Sequence, residues 1–138
     1  EWLFWQMAGL GPMTGQYGHF HVYAPEEVPY ARERYRKEAE RLLGVLDRRL
    51  EDRDFVAGDL SVADFAILGW AWRHPRHKVE LADFPNVKRW YDALMARPAV
   101  KRGRMVNRAF GDPSEQLHER HDASDFDTKT QDKIAAAE

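Results

Sequence analysis

The chain has 138 residues, 43% hydrophobic and 32% charged, which is enough for one domain with a real core and is globular rather than disordered in composition. A net charge of −2 offers nothing to nucleic acid or to an anionic membrane, and the absence of cysteine excludes a disulfide framework, a thiolate metal site and a cysteine nucleophile. No apolar run is long enough to span a bilayer, and Glu1-Trp-Leu-Phe-Trp-Gln-Met7 lacks the basic region and cleavage site of a signal peptide.

Residues 1–23 read as a helix with interruptions. Trp2, Trp5, Gln6 and Gly9 fall on one face, and Gly9, Gly11-Pro12 and Gly15 are expected to break or kink the helix beyond them. An exposed terminus rarely carries Trp2, Leu3, Phe4 and Trp5, and there is no initiator Met, so the chain is expected to be cut from a longer protein. Pro25-Glu-Glu-Val-Pro-Tyr30 looks like a helix start, with prolines and acids in the first turn. From about 27 to 53 runs a long amphipathic helix. Tyr35, Ala39, Leu42, Leu43, Leu46 and Leu50 mark its buried stripe at three- and four-residue steps. The rest is dense in both charge signs and reads as a solvated face laced with i,i+4 pairs.

The stretch Phe55-Val-Ala-Gly-Asp-Leu-Ser-Val-Ala-Asp-Phe-Ala-Ile-Leu68 carries the sharpest local signal. Gly58 and Asp59 make a turn, Ser61 stands at a helix start, and Asp64 lies three residues on: a capping box. Leu60 and Phe65 suit a hydrophobic staple around it. The helix over about 61–73, apolar on most sides through Trp70 and Trp72, belongs in the middle of a core. Arg73-His-Pro-Arg-His77 is a polar break, followed by a short turn near 79–83. Pro85 fits a first helical position, with Val87, Trp90, Tyr91 and Leu94 as the apolar face, and Arg97-Pro-Ala-Val100 starts a last short helix ending near Met105. No strand is convincing, so the class is all-α, with five or six helices. Residues 107–138 hold four Lys/Arg and eight Asp/Glu, a local balance of 4 − 8 = −4, with few apolar residues and no period. They read as an acidic tail, partly disordered or draped over the body, with a weak helix at Lys133–Ala137. The expected division is a helical domain over 1–106 and a tail over 107–138.

Several blocks together point to one family. They are Trp2-Leu-Phe-Trp-Gln-Met7; Gly9-Leu-Gly-Pro-Met-Thr-Gly-Gln16 with His19-Phe20; Pro29-Tyr30-Ala31 with Glu33-Arg34-Tyr35; and Phe55 to Ile67 with its box. Phe84-Pro85 and Arg97-Pro98-Ala99 add to the match. Over about residues 1–105 the chain resembles the C-terminal domain of bacterial Nu-class glutathione S-transferases, the disulfide-bond oxidoreductase-like branch. The resemblance implies a helical bundle that supplies the wall of an acceptor-substrate site and much of a homodimer interface in a cytoplasmic enzyme. Glutathione is then a substrate, its partner a small electrophile or disulfide, and no metal takes part. In that family a thioredoxin-like N-terminal domain holds the catalytic group. Nothing here resembles it, so no catalytic residue is assigned and the isolated chain is expected to be inactive.

The resemblance singles out Arg34, matching an arginine that reaches bound glutathione in this branch. A guanidinium binds carboxylate bidentately and stays charged at any working pH; the residue equally reads as one more surface arginine. Tyr17 stands where relatives often carry Asn, able to hydrogen-bond or stack on a flat substrate, or simply to pack. Met13, Gln16, His19 and Phe20 lie in the region that faces the cleft in the family, although Met and Phe at such spacing also read as core. Trp72 could reach the cleft wall. Ser61 and Asp64 have a structural role. His19/His21 and His74/His77 make poor metal sites, because zinc sites usually need at least three protein ligands, and metal binding is not expected at His118/His121 with Asp122 either. Two other readings stand beside the enzyme. One is a non-catalytic interaction module of the kind found in translation-associated proteins; the other is a small ligand-binding protein using the aromatic cleft alone.

Overall fold

A computed structural model of the chain describes residues 1–75 and 77–105, Met105 by its backbone alone. The described residues hold five helices and no strand: α1 over residues 2–23, α2 Pro29–Arg49, α3 Val62–Ala71, α4 Pro85–Met95 and α5 Pro98–Met105. A 3-10 turn, Leu81–Asp83, precedes α4. The all-α expectation holds, and the helix ends agree with the sequence reading to within a few residues. The acidic tail, its weak helix at 133–137 and the His118/His121 pair lie outside the described residues. The described residues divide into two units, the first Glu1–Leu94 and the second beginning at Met95. In the second unit, α5 is basic in its last turn, and the Arg104 guanidinium lies 3.5 Å from the Met95 sulfur. No helix among the described residues is long and apolar enough to cross a membrane.

In α1 the expected breaks do not occur. The helix runs through Gly9, Pro12 and Gly15, and the disturbance is taken up by two widened π turns, Gln6–Leu10 and His19–Tyr23. The Gly11 N–H reaches back five residues to the Gln6 carbonyl, and the Ala24 N–H likewise to His19. Pro12, which has no N–H to give, then sits harmlessly in the first turn of the segment Gly11–Gly18. The glycines are there for packing. A methyl group at Gly11 would lie 3.0 Å from Trp70 Nε1 and 2.9 Å from Gln6 Nε2, so the bare backbone is what lets the α3 indole rest on α1.

The core of the first unit sits between α1, α2 and α3, closed by α4. Ala39, Leu42, Leu43, Leu46 and Leu50 of the α2 stripe are all buried, as are Ile67 and Leu68 of α3 and Val87, Trp90 and Leu94 of α4. Each large side chain contributes about 1.5–3 kcal/mol by burial, whereas an exposed helical ion pair adds about 0.2–0.5. The apolar stripe therefore holds α2 in place, and its many charges do not. The sequence reading of α3 needs one correction. Only part of its surface is interior, because Val62 is 67% and Phe65 43% exposed. The expected staple with Leu60 accordingly leaves Phe65 on the surface.

Ser61 caps α3, and the reciprocal box with Asp64 is present. The Ser61 N–H donates to Asp64 Oδ2 at 3.0 Å, and the Ala63 N–H donates to Ser61 Oγ at 3.3 Å. Gly58, at φ +107°, makes the turn in front of it, where a side chain would be strained. Asp64 also reaches much further than its own helix. Fully buried, its Oδ1 accepts from the Val56 N–H at 2.9 Å and from the Trp90 indole N–H at 3.0 Å.

A second pair of side chains ties α2 to α4 by capping each other's helices. Pro85 has no N–H, so the first donors α4 leaves open are Asn86 and Val87, and Asp47 Oδ1 accepts from both, at 2.8 and 3.0 Å. In return Arg89 of α4 donates to the Leu50 and Arg53 carbonyls at the end of α2 and pairs with Asp54 at 2.9 Å. Asp47→Ala is expected to cost about 1–2 kcal/mol, the loss of a good N-cap. Thermal unfolding would show it, with Asp47→Asn recovering part because one oxygen remains.

Candidate functional site

An open groove of about 660 Å³ runs along the outer face of α2. Tyr30, Glu33, Arg34, Lys37, Glu38 and Arg41 line it at helical spacing, with Tyr35 beside them and Met13 entering from α1. The α2 stripe places these side chains. With Ala39, Leu42, Leu43 and Leu46 turned inward, residues 30, 34, 37–38 and 41 must project from the opposite side. Pro29 at the first position of α2 sets where that face begins, putting the 78%-exposed Tyr30 at the groove's end.

Charge in the groove is largely paired. Arg36 grips Glu33 through Nε and Nη2, both at 2.8 Å, and also pairs with Glu40. Lys37 adds a contact to Glu33 at 3.3 Å. Hydrogen bonds from Arg36 hold the Glu33 carboxyl down at about 2. Arg41 grips Glu38 through Nε and Nη2, again at 2.8 Å, which lowers that carboxyl too. Arg34 is different. Among the described residues its guanidinium makes no hydrogen bond or ion pair to a carboxylate, and it acts on Glu38 only through space. The lining therefore presents one uncompensated guanidinium between a thioether and two phenol rings.

Of the residues singled out from sequence, Arg34 and Met13 meet in this groove. Phe20 stacks almost parallel on Tyr35, with centroids 5.6 Å apart and planes 6° apart, so it backs the groove wall from behind. His19 stands edge-on to Phe20 at 5.0 Å. Gln16 is exposed on α1 and Trp72 half-buried after α3, and neither lines the groove. Tyr17 is buried, packed between His21 and His77 with ring centroids 5.5 Å away in each case, and burial pushes its phenol pKa up. Of these two partners, His77 is buried and His21 half-buried. Tyr30, Glu33, Tyr35, Lys37, Glu38 and Arg41 were not singled out as site residues. For Tyr30, Lys37 and Glu38 the three- or four-residue spacing from Arg34 was the available signal, with Arg41 two turns on from it; Glu33 and Tyr35, adjacent to Arg34, carry no such signal. The described residues contain no group of three side chains that could hold a metal ion.

Residues 10–98 match the sequence profile of the glutathione S-transferase C-terminal domain. The chain belongs to that family. The domain is 46% identical to the disulfide-bond oxidoreductase YghU of Escherichia coli (strain K12), an alignment covering 96% of this chain and 49% of the relative. It is also 46% identical to YfcG, a second disulfide-bond oxidoreductase of the same organism, over 72% of this chain and 47% of that one. Among solved structures it is similar to a glutathione transferase from Burkholderia graminis with two glutathione molecules bound per subunit: TM-score 0.67, 44% identity, 74% of this chain and 46% of that one. A glutathione transferase from Pseudomonas putida with one glutathione disulfide bound per subunit gives a TM-score of 0.69 at 42% identity, over 74% and 47% of the two chains. The domain thus spans about half the length of the curated relatives it matches.

Proposed function

We propose that this domain forms the acceptor-substrate wall of a glutathione-dependent disulfide-bond oxidoreductase or transferase. The observation that carries the reading is the groove with Arg34 as its one uncompensated guanidinium among the described residues, in a chain 46% identical to two disulfide-bond oxidoreductases. In the reaction a glutathione thiolate attacks one sulfur of a disulfide. The new S–S bond makes a mixed disulfide and the other sulfur leaves as thiolate; with an electrophile the product is a thioether. The group that favours the thiolate belongs to a thioredoxin-like domain. The helical domain's part is to hold and orient. Arg34 anchors a substrate carboxylate, and Met13, with Tyr35 backed by Phe20, supplies an apolar surface. Gln16 and His19, exposed beside them on α1, are the hydrogen-bonding candidates. Tyr17 supports this end of α1 from inside, and Trp72 is held as a contributor to the cleft wall.

Dimerisation belongs to the same reading. Leu3, Phe4 and Met7 are 39%, 79% and 63% exposed at the start of α1, an apolar surface suited to a partner. The cytoplasm is the compartment that keeps glutathione reduced.

The test is a protein carrying this domain behind its thioredoxin-like half, assayed for glutathione-dependent disulfide reduction. A charge-assisted hydrogen bond is worth about 1.5–3 kcal/mol, so Arg34→Ala is expected to raise the KM for glutathione or its disulfide at least about tenfold. Arg34→Lys should recover only part, lacking the fork. An unchanged KM in Arg34→Ala removes the role of Arg34; absence of turnover with glutathione in any form removes the enzyme reading.

A further inference from the structure

Building on the reading of Arg34 as a carboxylate anchor, we infer that Arg41 is a positioning residue: by holding Glu38, it keeps the Arg34 guanidinium open to an anionic ligand. Glu38 lies four residues after Arg34 and three before Arg41, so both cations reach it from the same face of α2. Arg41 has it. Its two bonds, each 2.8 Å, occupy both carboxylate oxygens. Helix geometry favours this outcome, because an acid placed before its base pairs better than the reverse order. Glu38–Arg41 has the favoured order and Arg34–Glu38 the other.

The second carboxylate in the groove does not compete. Glu33 is adjacent to Arg34 in sequence, and adjacent residues do not face each other on a helix. It is also held by Arg36 and Lys37. Glu38 is thus the groove carboxylate that can close the anion site, and Arg41 is what prevents it. Without Arg41, Glu38 is free to swing to Arg34. A helical i,i+4 pair is worth about a factor of two in equilibrium. With the repulsion of an unpaired Glu38 added, ligand affinity should fall about threefold.

The experiment titrates glutathione disulfide into the full 138-residue chain, followed by NMR at the groove amides. Arg41→Ala is expected to bind about threefold more weakly, and Arg41→Ala/Glu38→Gln to bind like the parent. Arg36→Ala removes the same charge from the same helix; Glu33 keeps Lys37 at 3.3 Å and does not face the adjacent Arg34, so binding should weaken clearly less than in Arg41→Ala. Equal weakening in Arg41→Ala and Arg36→Ala, or no rescue by Glu38→Gln, overturns the inference. The Glu38 carboxyl, titrated without ligand, separates this from the reading it rests on. Arg34→Ala should raise the Glu38 pKa more in the Arg41→Ala background than in the parent; equal rises overturn the inference whether or not ligand binds. If Arg34→Ala leaves affinity unchanged while that coupling is seen, the anchor role of Arg34 fails and the Arg41–Glu38–Arg34 competition stands.

Discussion

Asp64→Ala is expected to destabilise the domain by about 3–5 kcal/mol, a large share of the 5–15 kcal/mol typical of a domain. Asp64 is fully buried and accepts from three elements at once: the Val56 N–H, the Ser61 N–H and hydroxyl, and the Trp90 indole N–H. Losing the cap costs about 1 kcal/mol. The larger loss comes from the donors left behind. Val56 and Trp90 are themselves buried, so their N–H groups have no water to turn to, and each buried unpaired donor costs about 1–3 kcal/mol. Asp64→Asn should fall between, since its one oxygen serves Val56 and Trp90 while its amide nitrogen meets the Ser61 N–H donor to donor. Urea denaturation midpoints would rank the three proteins, with Trp90→Phe as the partner in a double-mutant cycle. A coupling near zero, or an Asp64→Ala loss under about 1 kcal/mol, would show that the box alone holds α3.

Gly11→Val is the second large effect, about 3 kcal/mol destabilising, at the upper end of overpacking costs. A first carbon at Gly11 would already stand 3.0–3.1 Å from the Trp70 indole. That ring is rigid, and moving it would also disturb its contact with the Arg73 guanidinium, 5.0 Å from its centre. Gly69, one residue before Trp70 on α3, has nothing within 4 Å of its added carbon, so Gly69→Ala should stabilise by about 0.5–1 kcal/mol through helix propensity alone. Opposite signs for the two glycines, read as shifts in thermal midpoint, are the check. A neutral Gly11→Val would mean that Trp70 does not rest on α1 as described.

The two glycines also show why part of this fold was legible and part was not. Gly9, Gly11-Pro12 and Gly15 suggested broken helix because propensity is a local quantity. The structure keeps α1 continuous because burying its face outweighs about 1 kcal/mol per glycine. Nothing near Gly11 in sequence announces Trp70, which comes 59 positions later (70 − 11). The Ser61–Asp64 box was readable because both partners lie within one helical turn. The Asp64 bonds to Val56 and Trp90 span 8 and 26 residues and leave no periodic trace. Asp47 looked like one more charge on the solvated face of α2. Only folding places it under the first free donors of α4, 39 residues away.

The site divides along the same line. Arg34 was reached through the resemblance, and Tyr30, Lys37, Glu38 and Arg41 lie on its own helix face at spacings that sequence contains, whereas Met13 joins them from α1. Which glutamate each cation takes was not readable. On α2 several acids stand three or four residues from several bases, and pairs worth a few tenths of a kcal/mol are chosen by rotamer geometry.

By itself the sequence determined the helical class, the burial stripes, the cap of α3 and the family, because apolar period, capping chemistry and family blocks are written in residues close together. Only the tertiary structure decided that α1 stays whole, that Asp64 and Asp47 hold distant elements, that Tyr17 turns inward, and that Arg34 is left without a carboxylate partner among the described residues. The first three depend on which side chains meet across helices, set by packing the whole core at once rather than by any single segment's preference, and the last on rotamer geometry along the exposed face of α2.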